Sequence, residues 1–208
     1  MTRIALIGGG GFAKEVWEIA ELCGHEVVAY VGTHQDALDR PYWGEREALE
    51  ARRSEFDAVC IAFGMIDRRT LAARAETVAW FRERGLPAIA LVSPSACVAK
   101  GAVVGEGCVV AHRAVLSVDC RLDAHCIVNT GAIVGHDAKL GVNASLAPGS
   151  FIGGNVVVGA NTLVGPGAIV LQQRTIGEKV VVGVGATVAR NVPDGATVKA
   201  PRSTVVQG

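Results

Sequence analysis

Beyond residue 94 the chain holds a single aromatic residue, Phe151, although it runs to 208 residues. A core filled by large rings is therefore excluded for more than half of the molecule. Any interior there has to be narrow and lined by branched aliphatics. No apolar run of about twenty residues exists, so no membrane-spanning helix and no membrane insertion are expected. The opening MTRIALIGGG has no charged stretch followed by a long apolar one. It reads as no secretory signal, and the cytoplasm is the expected compartment. An excess of one charge is also missing: twenty Lys and Arg stand against twenty Asp and Glu. Without a basic stripe, nucleic acid is not an expected partner. The six cysteines show no C-x-x-C spacing, so no metal site is expected.

What the second half does contain is a repeat. From Val98, every sixth residue to Val188 is Val, Leu or Ile, sixteen in succession. By chance this is roughly a one-in-ten-million event, and a hexapeptide period is a β-helix signature. Two residues before many rungs lies a small residue, as at Ala102, Cys108, Ala114, Cys120 and Cys126. Those cysteines read as core filler. One residue after the rung Gly is common, as at Gly135, Gly153 and Gly165. The expectation is that these glycines relieve corners needing positive φ. Three short strands per triangular coil make residues about eighteen apart stack, and sixteen rungs give roughly five coils. Neighbouring copies are expected to cover the coil's flat faces.

The first ninety residues have another rhythm. Apolar runs at 4–7, 26–31, 57–63 and 87–92 read as buried strands, with helices over 11–22, 44–53 and 67–84 between them. Gly24 and Gly85 stand where helix C-caps belong. Strands alternating with helices imply a parallel sheet, Rossmann-like. Gly8 to Gly11 falls between the first strand and first helix, where a glycine loop lets backbone N–H groups reach a phosphate. Ala13 takes the last glycine place of a dinucleotide fingerprint, and Gly32, Thr33 and His34 follow the second strand in place of a carboxylate. Use of NAD is therefore not expected. Pro94 breaks the alternation, dividing the chain into an α/β domain over 1–93 and a β-helix over 94–208.

Of the five histidines, His25 and His34 read as loop residues, and His112 and His125 as plain surface at coil corners. His136 differs. It lies two residues past a rung, pointing away from the core, and Asp137 follows it. An exposed imidazole beside a carboxylate can serve as a general base.

The ladder, the small α/β domain ahead of it, Ser93-Pro94-Ser95-Ala96, NTGAIVGHD (129–137) and VGVGATVARNVPDGA (182–196) together resemble one family. It is the two-domain hexapeptide-repeat, left-handed β-helix sugar acetyltransferases, which act as N-acetyltransferases on nucleotide-linked amino sugars or as O-acetyltransferases on a sugar or sialic acid. IALIGGGGFAKEV (4–16) and the Gly64 to Arg69 segment extend the likeness to the first domain. The resemblance implies a homotrimer that uses acetyl-CoA in direct transfer. It implies His136 as base, Asp137 and Asn129 assisting, and the Gly154 N–H, one coil beyond the base, as oxyanion donor. For CoA it implies Gly165, Gly167, Gly183, Gly185 and Ala186, with Gly154 beside them. Gly8, Gly10, Gly11, Phe12 and Gly64 would hold the acceptor, a nucleotide sugar. Three departures stand out. Ser145 replaces a second His in the donor site. Gly32-Thr33 replaces an acidic pair that holds the nucleotide. The tail reads Lys199-Ala200-Pro201-Arg202. A non-catalytic β-helix scaffold is the reading of another class, against which the intact His136-Asp137 pair argues.

Overall fold

A computed structural model describes residues 1–33 and 38–201, which leaves His34 and Arg202 outside the described residues. The chain forms a three-stranded parallel sheet with helices, followed by a left-handed parallel β-helix. Strand β1 (Arg3–Ile7) lies between β2 (Glu26–Val31) and β3 (Ala58–Ile61). Ile4, Ala5 and Leu6 are fully buried because both faces of the central strand are covered. Helix α1 spans Gly11–Leu22, the expected range. Helix α3 spans Arg68–Arg84. Asp67 caps it by accepting from the Thr70 N–H, while Thr70 Oγ1 accepts from the Asp67 N–H. It ends at Gly85, with φ of 57°.

Two expectations for this region need correction. The helix expected over 44–53 is a single turn, α2 (Ala48–Ala51). Leu49 is its one buried residue, so no second apolar position holds a further turn. The run 87–92 is not a fourth strand of the sheet. Ala88 bridges to Val59, and then Leu91–Val92 leaves to pair with Val109–Val110 of the β-helix. Val92 stands six residues before Val98 and is itself a rung, so the β-helix starts before Pro94.

The β-helix has three parallel sheets of seven, six and five two-residue strands. Eighteen strands at three per turn make six turns, not five, because Leu91–Val92 and Thr197–Val198 add a strand at each end. The first face runs from Leu91–Val92 to Thr197–Val198, the second from Cys97–Val98 to Thr187–Val188, and the third from Val103–Val104 to Thr175–Ile176. Rungs such as Leu116, Val134, Ile152 and Val170 fill the interior at zero exposure, with Cys108, Cys120 and Cys126 among them. Registers are eighteen residues apart until the last turn. There Ile176 pairs with Val192 and Val182 with Val198, a step of sixteen that keeps Asp194 out of the interior.

The reason given for the rung glycines is also corrected. Positive φ recurs every six residues, but at the third position after the rung. Gly131, Asp137, Asn143, Gly149, Asn155 and Asn161 occupy it with φ of 55–66°. Gly, Asn and Asp tolerate that left-handed corner best. The glycine directly after the rung is needed for space. A Cβ on Gly135 would stand 2.6 Å from the Gly154 nitrogen of the next coil, and one on Gly159 2.5 Å from the Gly177 carbonyl carbon. Coils that stack about 4.8 Å apart leave no room for it.

The two units share a core. Leu91, Val109 and Ala111 of the first face are buried with Ile4, Leu6 and Val16. Arg74 of α3 is fully buried and donates to the carbonyls of Phe63 (3.0 Å) and His125 (3.1 Å). Arg68 reaches the last turn, donating to Gly195 O (2.6 Å) and Thr197 Oγ1 (2.7 Å).

Candidate active site

His136 stands at a corner after the second face, and its ring lies over Gly154 of the next coil. A Cβ placed on Gly154 would overlap the imidazole at Nε2. Asp137 follows in the left-handed conformation, with φ of 57°, which turns its carboxylate back to the ring. His136 Nδ1 donates to Asp137 Oδ2 at 2.8 Å. That bond fixes the proton on Nδ1 and leaves Nε2 as the basic nitrogen. Both side chains are about half exposed, at 56% and 53%. Gly154 N–H donates to no acceptor among the described residues, whereas its neighbour Gly153 N–H donates to Val170 O at 2.9 Å. A free N–H beside a free imidazole nitrogen is what an acyl-transfer site requires. Both line a cleft of 630 Å³ over the second face, with Ile133, Phe151, Leu171 and Arg174.

A second cleft, of 490 Å³, lies between the two units. Phe12 and Glu15 of α1 and the loop Gly64–Ile66 form one wall. Asn129, Ser145, Gly165 and Gly183 belong to the other. Ser145 is 3% exposed, and among the described residues its hydroxyl has no hydrogen-bond partner, so it offers a polar group to the cleft. Asn129 Oδ1 accepts from the Thr130 N–H at 2.7 Å. The residues that the resemblance groups together are thus divided between two edges. His136, Asp137 and Gly154 are on one; Asn129, Ser145, Gly165, Gly183, Phe12 and Gly64 line the other. Within one chain Asn129 does not hold the His136 ring.

Other expected positions fall as follows. Gly167 and Gly185 occupy left-handed corners with φ of 63° and open space around them. Ala186 is corrected: it is fully buried in the β-helix interior. Its N–H and C=O are both taken, by Gly183 O and by the Ile169 N–H. It stands two before rung Val188, in the small-residue column, so it has nothing to present to a ligand. Gly10 and Gly11 are open at the start of α1. Gly8 is structural, since with φ of 121° a Cβ there would meet Ala62 O at 2.8 Å. Gly32 has φ of 148°, a conformation that disfavours an acidic residue as much as any other with a Cβ.

His125 and His112 are not plain surface. The first domain packs over His125, which is 2% exposed and stacked on Phe81 at 6.4 Å. Burial, with Arg74 and Arg82 nearby, pushes its pKa down to about 4. His112 Nδ1 lies 2.8 Å from Ser93 Oγ, and its Nε2 lies 3.4 Å from Glu18. Arg74 was also missed, although Leu71, Arg74, Val78 and Phe81 all lie at buried helical spacing. An arginine on an apolar stripe was the available signal. Burial holds its pKa down at about 10.

Residues 3–75 match the model of the PglD N-terminal domain. No curated protein sequence matches. Among solved structures, PerB, the perosamine N-acetyltransferase of Caulobacter crescentus in complex with CoA and GDP-perosamine, is 34% identical with a TM-score of 0.86. The match covers 95% of this chain and 93% of that one. The acetyltransferase domain of PglB from Neisseria gonorrhoeae, in complex with acetyl coenzyme A, is 31% identical with a TM-score of 0.85. Here 94% of this chain and 95% of the other are covered. WeeI from Acinetobacter baumannii, 23% identical with a TM-score of 0.80, shares the fold over 94% of this chain and 96% of its own.

Proposed function

The chain belongs to the hexapeptide-repeat sugar acetyltransferases, and on that premise we propose that it transfers the acetyl group of acetyl-CoA to the amine of a nucleotide-linked 4-amino-4,6-dideoxy sugar. The product would serve bacterial surface glycan synthesis. The observation that carries this reading is the free His136 Nε2 beside the unpaired Gly154 N–H. The acceptor nitrogen attacks the acyl carbon, and His136 Nε2 takes the proton that it loses. Asp137 stabilises the imidazolium across the 2.8 Å bond. The Gly154 N–H receives the oxyanion that forms as the carbonyl is attacked. The carbon–sulfur bond then breaks, and the proton held by His136 passes to the departing thiolate. The donor's pantetheine follows the wall of Gly165 and Gly183, with the Ser145 hydroxyl as a polar contact. The diphosphate of the acceptor meets the open N–H groups of Gly10 and Gly11 at the start of α1.

The division of the site between two edges supports a homotrimer. A closed three-fold arrangement sets the Asn129 cleft of one copy against the His136 cleft of the next. The second face supports the same arrangement. Its outward residues Ile133, Phe151 and Ile169 are apolar and 37–41% exposed. The third face mixes its exposed Val103 and Val157 with the charged Arg121 and Lys139. The first face is covered by the chain's own first domain.

The test is release of CoA thiol from acetyl-CoA with a panel of nucleotide 4-amino sugars, nucleotide sugars without the amine, and sialic acid. Turnover with amino sugars is expected. In His136→Ala, kcat is expected to fall about 10²- to 10⁴-fold with the fold intact; unchanged turnover in that variant removes the mechanism. A mass measurement should give a trimer. A fully active monomer would remove the shared site.

A further inference from the structure

The acceptor reading above leaves open what distinguishes an amine from a hydroxyl, since one base serves both. The interdomain cleft carries an answer. Its side chains are almost all apolar, and among the described residues the one charged group that lines it is Glu15. Among the described residues Glu15 has no ion-pair or hydrogen-bond partner of its own. By contrast Glu21, on the same helix, is engaged by Arg40 and Trp17. Exposed apolar residues flank the cleft from opposite walls, Ile66 at 81% and Val184 at 69% exposure. An unpaired carboxylate among apolar walls fits a ligand that joins a positive charge to an apolar surface.

The position of Glu15 on its helix adds distance. Gly11 and Glu15 are four residues apart, so they share one side of α1, about 6 Å apart along the axis. That is comparable to the reach across a hexose ring from its anomeric phosphate. A diphosphate at Gly10–Gly11 therefore sets the far side of the sugar beside Glu15 and Phe12. We infer that Glu15 is the specificity-determining residue for the acceptor: its carboxylate captures the ammonium group of an aminodeoxy sugar, whose deoxygenated face packs against Phe12, Ile66 and Val184. A sugar with a hydroxyl in place of the amine lacks the charge, and a carboxylate-bearing acceptor such as sialic acid is repelled. This rests on the acceptor reading of the cleft. Glu15 acts in capture: the ammonium gives one proton to solvent before its nitrogen attacks, and the second proton, lost from that nitrogen on attack, is the one assigned to His136.

The experiment uses the full chain and two probes, GDP-perosamine and GDP-rhamnose as its 4-hydroxy counterpart, with binding measured by calorimetry. The amino sugar is expected to bind about tenfold more tightly, a modest value for a hydrogen-bonded charge at a partly exposed site. Glu15→Gln should remove that difference, raise KM for the amino sugar about tenfold and leave kcat and the KM for acetyl-CoA in place. Glu15→Asp should restore part of the preference. His136→Ala should keep the preference while turnover is lost. If Glu15→Gln retains both the preference and the KM, the inference falls while the acetyltransfer reading stands. If the amino sugar binds through Glu15 but is never acetylated, the acetyltransfer reading falls and the selection stands. Because Glu15 is exposed and unpaired, a folded variant is expected, and an unchanged Tm checks this.

Discussion

Asp137 carries two duties that are separable at the scale of one residue. Its backbone makes a left-handed corner, which the fold demands at every sixth position, and its carboxylate holds His136 Nδ1 at 2.8 Å. Glycine satisfies the first duty and abolishes the second. Asp137→Gly is therefore expected to keep its Tm within about 2 °C of the parent, since surface changes stay within about ±0.5 kcal/mol. Its kcat/KM should fall about tenfold or more as the ring loses its orienting partner. A large Tm loss together with unchanged activity would show that the carboxylate serves the fold and not the chemistry. The motif letters HD announce the pair. They do not announce that the Asp is also a corner, which becomes visible only beside Asn143, Asn155 and Asn161 at the same φ.

At the scale of the coil, two glycine columns look alike in sequence and differ in physics. Gly149 has φ of 65° and nothing near a notional Cβ, whereas Gly159 would thrust one against Gly177 and Glu178 of the next coil. Gly149→Asn should be close to neutral, because Asn already occupies equivalent corners. Gly159→Ala should cost about 1–3 kcal/mol as an overpacking change. Urea unfolding of the two variants checks this, and equal losses would mean that conformation and not space governs both columns. The period was readable from the chain because each coil repeats the same contacts. The reason for each glycine was not, since close approach involves a residue eighteen positions away.

Across the whole molecule the first domain clamps the β-helix through Arg74, Arg68 and the buried His125. His125 has its pKa lowered from 6.5 to about 4, chiefly by burial. The folded state thus binds its proton less readily than the unfolded chain. The contribution to stability is complete above about pH 6.5 and is lost as pH falls toward 4. Thermal unfolding is expected to show a lower Tm at pH 5 than at pH 7.5, and His125→Phe, which keeps the stacking surface, should narrow the gap. A gap of the same size in that variant would assign the acid sensitivity elsewhere. At this scale the His136 edge and the Asn129 cleft belong to different sides of one chain.

The hexad ladder, the parallel α/β unit before it, the outward direction of His136 and the one-coil step to Gly154 are legible in the chain alone. All of these follow from periodicity, because an eighteen-residue coil converts spacing into position. Which residues share a cleft, the passage of the run 87–92 into the β-helix, the inward direction of Ala186 and the burial of His125 and Arg74 between the domains emerge only from the packed fold. Those outcomes depend on how one unit seats on a face of the other. Packing between units is set by surfaces that no repeat encodes. Glu15 is the clearest example: on α1 it is one exposed acid among several, and only the opposing wall of the β-helix makes it the single charge in a cleft among the described residues.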